Sequence, residues 1–231
     1  MCGRYSLTAT PAEIEACFGL EEPATLAPRY NIAPTQLVPI VRLSSQGSRE
    51  LVLLRWGLIP ASARDASIGQ KLINARAETV AEKPSFRDAF ASRRCLVVAD
   101  GFYEWRHAQG RKVPYLVRLR SRSPFAFAGL WEQWRRDATS SLVETCAIIT
   151  TDANELVSTL HDRMPVLLDA HAFSTWLSPD TPPALLHELL RPTPAGLCEA
   201  QAVSSIVNDP KNDVPECVLP AVIPTNRELF E

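Results

Sequence analysis

Short apolar runs closed off by proline- and glycine-rich turns recur along the whole chain, and this punctuation limits the fold more than any single motif does. The 19 prolines are spread through 231 residues with no long low-complexity linker between them. Each one fixes φ and removes a backbone donor, which favours short elements over long helices. Leu37 to Leu43, the turn SSQGS and ELVLLRW at 50 to 56 read as a hairpin. CLVVAD at 95 to 100, FYEW, PYLVRL at 114 to 119, FAFAGLW at 125 to 131 and TCAIIT at 145 to 150 read as further strands. Together they predict a curled, largely antiparallel sheet system with short peripheral helices, in one domain over residues 1–231. Helices are expected at 11 to 18, where Pro11 precedes Glu13 and Glu15 and Gly19 ends the run, and at 84 to 91, where Phe86 and Phe90 share a face. Others are expected at 152 to 160 behind an Asp152 cap, at 169 to 177 and at 182 to 190.

Hydrophobic residues make up 46% and charged residues 22%, which excludes a disordered tail, a collagen-like fibre and a short disulfide-stapled toxin. No apolar run reaches the length of a membrane span, and MCGRYSLTAT lacks the apolar stretch of a secretory signal. A soluble intracellular protein is expected, cytoplasmic or, in a bacterium, nucleoid-associated. The cysteines at 2, 17, 95, 146, 198 and 217 form no CxxC pair, so free thiols are expected rather than a disulfide framework or a zinc module. No metal and no cofactor are assigned. The net charge of -2 conceals an asymmetry: residues 1–120 carry +6 and residues 121–231 carry -8. Twenty of the 24 basic residues are arginine, whose rigid fork suits phosphate oxygens, although a compositional bias toward arginine explains the count equally well.

Cys2 has the most distinctive chemistry. Loss of Met1 exposes an α-amine and a thiol on one residue; the amine can form an imine with an aldehyde, and the thiol can then close a thiazolidine ring. An ordinary terminus with a small apolar residue is the plain alternative. Arg4 is placed to clamp a phosphate or to sit solvated at the surface. Asn74, Arg76 and Glu78 alternate in LINARAET at 72 to 79, so an extended segment presents them together, as a site or as a polar turn with an ion pair. Glu104 follows a strongly apolar strand, where desolvation raises a carboxyl toward neutral pKa, and Trp105 stands beside it. An exposed glutamate next to a packing tryptophan fits the same pattern. In HDRMP at 161 to 165, His161 can shuttle a proton or cap a helix, with Arg163 in the same loop. VSSIVN at 203 to 208 reads as a short strand before an Asn-rich turn in which Asn208 or Lys211 could meet substrate.

MCGRY, RYNIAPTQ at 29 to 36, RWGLIP at 55 to 60, INARAET at 73 to 79, GFYEW at 101 to 105, HDRMPVLL at 161 to 168 and VSSIVNDPKND at 203 to 213 occur in that order. The set resembles the SOS response-associated peptidase family, whose members process abasic sites, and it spans nearly the whole chain. The resemblance implies a single α+β domain with a barrel-like core and a basic groove for single-stranded DNA. It implies that Cys2, freed by autoprocessing, forms a thiazolidine crosslink with the ring-opened abasic sugar. Crosslink reversal or lyase activity at the abasic site is implied as well. Asn74 then orients the cysteine, Glu104 manages proton transfer and His161 assists ring opening and reversal. Arg4, Arg76 and Arg163 match phosphate-binding positions, Trp105 a ring beside the DNA path, and Asn31 and Pro34 a loop near a duplex junction. The implied partner is abasic single-stranded DNA, alone or at such a junction, with the protein a monomer and no membrane involved. The sequence departs from the family at WGLIPASA, which lacks the tryptophan common after WGLIP. Two other functions fit the residues: a peptidase with Cys2 as N-terminal nucleophile, and a noncatalytic single-strand-binding module.

Overall fold

The computed structural model describes residues 2–108 and 111–221. Its strands in chain order are β1 (Tyr5–Leu7), β2 (Arg29–Ile32), β3 (Leu37–Leu43), β4 (Arg49–Trp56), β5 (Asn74–Arg76), β6 (Arg94–Ala99), β7 (Gly101–Ala108), β8 (Arg111–Leu119), β9 (Phe125–Trp134), β10 (Val143–Asp152), β11 (Arg163–Pro165), β12 (Leu167–Leu168) and β13 (Cys198–Ala202). The helices are short: α1 (Pro11–Phe18), α2 (Arg87–Ser92), α3 (Phe173–Leu177) and α4 (Pro183–Glu188).

Strands β4, β3, β6, β9 and β10 pair in that order, and β10 returns to β4, closing a five-stranded barrel. The closing pair is parallel and short, Thr145 against Arg55 and Cys146 against Trp56. Beyond it β10 outruns both neighbours. On one side β5 takes over from β4, and on the other β11 takes over from β9. Closure removes open edges from the barrel core. A second, antiparallel sheet in the order β13-β8-β7-β1-β2 lies against it. Tyr5 joins the two, meeting Trp56 and Phe127 edge-on at 5.5 Å each. Trp56, Tyr5, Phe102, Phe125 and Phe127 are fully buried here, each contributing roughly 2 kcal/mol by leaving water. The curled sheets and peripheral helices are therefore as the sequence pattern predicts, and the barrel-like core as the resemblance implies.

Local chemistry sets the ends of the elements. Thr10 and Glu13 form a reciprocal capping box at the start of α1, and Gly19 ends it at φ 61° in the left-handed region. Two expectations fail. The helix foreseen over 152 to 160 is a single 3-10 turn, Val157–Thr159. Asp152 ends β10 and pairs with Arg163, while the cap falls to Asn154, whose Oδ1 accepts from the Val157 N–H. The strand foreseen at 203 to 208 shrinks to one bridge between Val203 and Pro220, followed by the 3-10 turn Ser205–Asn208. Asn212 holds that turn by donating to the Ile206 carbonyl. All six cysteines are free. Among the described residues, no helix is long and apolar enough to cross a membrane, and no group of three or more His, Cys, Asp or Glu could hold a metal ion.

Candidate active site

The amino terminus enters the site along β1. The register sets Tyr5 against Phe102, and the Tyr103 N–H donates to the Arg4 carbonyl at 2.9 Å. Asp100 fixes the other end of this segment. Its buried carboxylate accepts from the hydroxyls of Ser6 and Thr8 and from the backbone of Thr8 and Ala9.

Cys2 is fully buried as part of the main hydrophobic core. Burial pushes its thiol well above the ordinary range, and the charge of Glu104 raises it further. Asn74 opens β5, which runs parallel to β10, and its Nδ2 donates to the Cys2 carbonyl at 2.7 Å. The buried Oδ1 of Asn74 has no hydrogen-bond partner among the described residues. Glu104, 4% exposed on β7, has its carboxyl pushed up to about 7, chiefly by desolvation.

His161 follows the 3-10 turn and precedes β11. Its Nδ1 lies 2.9 Å from the Arg163 backbone nitrogen and 2.7 Å from Asp162 Oδ1. One nitrogen cannot accept from the first and donate to the second. Desolvation lowers the imidazole's pKa and favours the neutral ring, so Nδ1 accepts from the Arg163 N–H and Nε2 carries the proton. The exposed Asp162 is left as a partner for the ring once it is protonated.

The structure distributes the expected phosphate and DNA contacts unevenly. A cleft of about 600 Å³ is lined by Arg4, Glu104, Trp105, His107, Lys112, Leu160, His161 and Asn208. Arg4 donates to Asn31 Oδ1 at 2.7 Å and to the Val207 carbonyl at 2.8 Å, and its guanidinium sits 5.7 Å from the Trp105 ring centre. The indole N–H donates to Asn208 Oδ1 at 2.8 Å. Beneath them Tyr103, Leu116, Val203, Val207 and Cys217 form a small separate core. Arg76 is exposed at the end of β5, and Pro34 is half-buried in the turn before β3. Asn31 is fully buried, and its amide donates to the carbonyls of Val207, Asp209 and Asn212. Its polar atoms therefore serve the 207–212 loop and Arg4. Arg163 is also buried, forked onto Glu78 at 2.8 and 3.0 Å and bonded to Asp152 and the Thr150 carbonyl. A phosphate could reach this guanidinium only by displacing a carboxylate, and Asp152 is the more exposed of the two. Lys211 lies exposed in the neighbouring turn. Sequence reasoning missed His107, Lys112 and Leu160; the run RHAQGRK at 106 to 112, basic without a single acid, was the signal for the first two.

Fold and site together define a barrel-cored α+β protein in which Cys2, held by Asn74, lies in the field of the buried Glu104 carboxyl, and Glu104 and His161 line one cleft. Residues 1–210 match the family model described as SOS response associated peptidase (SRAP). The Abasic site processing protein YoqW of Bacillus subtilis is 44% identical over 223 residues, covering 94% of this chain and 99% of that protein. The Abasic site processing protein HMCES of Gallus gallus is 30% identical, covering 87% of this chain and 69% of that one. A crystal structure from Bacteroides thetaiotaomicron superimposes with a TM-score of 0.86 at 29% identity, over 96% of this chain and all of the other. The chain belongs to the SRAP family.

Proposed function

We propose that the protein processes abasic sites in single-stranded DNA by forming a thiazolidine crosslink through Cys2 once Met1 is removed. The observation that carries this reading is the seating of Cys2: its carbonyl is held by Asn74 at 2.7 Å, and its thiol lies in the field of a buried carboxyl with pKa about 7. The names of its relatives supply the substrate class.

An abasic deoxyribose equilibrates with an open aldehyde. His161 assists that opening by hydrogen-bonding the ring oxygen through its Nε2–H, while water takes the C1′ hydroxyl proton and returns one to the ring oxygen. The Cys2 amine adds to the aldehyde and water leaves, giving an imine. The thiol then adds across the C=N bond: sulfur bonds to carbon, its proton passes to nitrogen, and the net product beyond the ring is one water. Because burial disfavours a standing thiolate, the proton leaves sulfur as the S–C bond forms. Glu104, near half-ionised at pH 7, can take that proton and return it. The reverse sequence releases the sugar, and β-elimination from the imine before ring closure would give lyase cleavage. An intact nucleotide offers no aldehyde, so selectivity is chemical rather than a base-edge code.

Arg4 and Arg76 supply phosphate contacts, Trp105 a stacking surface, Pro34 the loop at a duplex junction, and Arg163 a further contact only if it releases a carboxylate, while Asn31, fully buried on β2, acts through Arg4 and the 207–212 loop rather than on DNA. Removal of Met1 by the same Cys2 and Glu104 would be the one peptide-bond cleavage needed. The protein acts as a monomer in a compartment that holds DNA. Incubation with an abasic single-stranded oligonucleotide followed by intact-mass measurement tests the reading. Loss of Met1 and gain of the oligonucleotide minus one water are expected. A protein lacking Met1 that gains no such mass would overturn the proposal, as would equal adduct with an undamaged strand or with Cys2→Ala.

A further inference from the structure

The β7–β8 hairpin carries Arg106, His107, Arg111 and Lys112 within seven residues and contains no acidic residue in that span. The register sets His107 directly opposite Lys112, with Arg106 opposite Val113. All four basic side chains are exposed, and none forms an ion pair among the described residues. Two basic side chains facing each other across an exposed ladder repel when both are charged, and a bound anion relieves that repulsion. Arg106 is occupied differently, stacked 5.0 Å over Tyr115. His107 and Lys112 turn into the cleft that also holds Arg4, Trp105 and His161. His107 lies two residues along the strand from Trp105, about 7 Å at ~3.4 Å per residue. That distance corresponds to one or two nucleotides of backbone.

We propose that His107 and Lys112 form a phosphate subsite for the DNA backbone one or two nucleotides beyond the damaged sugar, extending the cleft outward along the hairpin. The inference rests on the abasic-site reading above and adds a direction to it. The strand leaves the site along β7 and β8, so affinity depends on how much backbone lies on that side of the lesion. The subsite holds charge rather than base identity.

The test uses the whole protein and abasic single strands, each carrying one uncharged methylphosphonate linkage at a different position. Binding is followed across a salt series by fluorescence anisotropy. The slope of log K against log salt should be shallower for Lys112→Gln than for the wild type by about 0.7, the loss of one single-strand phosphate contact. With wild-type protein, a neutral linkage one or two nucleotides to one side of the lesion should weaken binding severalfold, and Lys112→Gln should erase that position's effect while leaving the other positions unchanged. An unchanged slope, or a positional pattern identical in variant and wild type, overturns the subsite. Mass analysis of the wild-type protein on the same abasic strand keeps the two readings apart. Normal crosslinking with an unchanged Lys112→Gln slope defeats only the subsite, whereas absent wild-type crosslinking defeats the function itself.

Discussion

Asn74 donates its side-chain amide to the carbonyl of Cys2 at 2.7 Å, joining two residues 72 positions apart in the chain. Asn74 is itself held by the pairing of β5 with β10, so the barrel wall dictates where the amino terminus lies. Its partnerless buried Oδ1 is an acceptor suited to the Cys2 amine once Met1 is gone. Asn74→Ala should therefore slow crosslinking by about ten- to a hundredfold, the cost of about 1.4 to 2.8 kcal/mol in positioning. Single-turnover rates at saturating oligonucleotide would measure it, and a rate within twofold of wild type would remove Asn74 from the mechanism.

Glu104 makes a prediction about stability as well as rate. Its carboxyl titrates near 7 in the folded protein against an ordinary 4.5, so the folded chain retains a proton that the unfolded chain has released. Stability falls as pH rises from about 4.5 to about 7, by about 3 kcal/mol over that window, and stays lowered above it. Glu104→Gln cannot ionise. Its stability relative to wild type should rise across the same window, measured as Tm at pH 4.5 and pH 8, while crosslinking drops about a hundredfold. A Tm difference independent of pH would mean that the carboxyl is not desolvated as described.

His161 should be a neutral ring protonated on Nε2 at pH 7, because Nδ1 accepts from the Arg163 backbone and burial disfavours the cation. Nitrogen chemical shifts of the labelled imidazole distinguish the two tautomers. An Nδ1–H tautomer would mean that the Asp162 contact dominates and would reverse the direction in which His161 can pass a proton.

Much of this was legible locally. The β3–β4 hairpin, α1 with its capping box, and the buried core of β6 announce themselves through period and punctuation. Cys2, Asn74, Glu104 and His161 stood out because each carries unusual chemistry in a distinctive local setting. The barrel's closure did not, since two parallel pairs between residues 55–56 and 145–146 leave no periodic trace. The misread helix at 152 to 160 has the same origin: Asp152 was a plausible cap until Arg163, eleven residues on, claimed its carboxylate. The burial of Arg163 under Glu78 and Asp152 likewise arises from pairings 85 and 11 residues apart.

Asn31 shows how such distant bonds shape the cleft. Its amide reaches Val207, Asp209 and Asn212, and its Oδ1 accepts from Arg4, so one buried side chain sets both the loop carrying Asn208 and the guanidinium over Trp105. The backbone of Tyr30 and Asn31 is fastened to the same segment, donating to Asp213. Asn31→Ala keeps those backbone bonds and leaves the Val207 carbonyl its bond from Arg4, but removes the amide donor to Asp209 and Asn212 and the acceptor of Arg4, costing about 1 to 3 kcal/mol in stability. It also removes one of the two acceptors that hold the Arg4 guanidinium beside the indole, leaving the Val207 carbonyl. Binding to undamaged single strands should therefore weaken several-fold at a temperature where the variant remains folded, with the salt slope almost unchanged because no cation has been lost. A lower Tm with full DNA affinity would show that the loop does not govern the cleft. A slope reduced by ~0.7 would show instead that Arg4 loses its phosphate contact without this support.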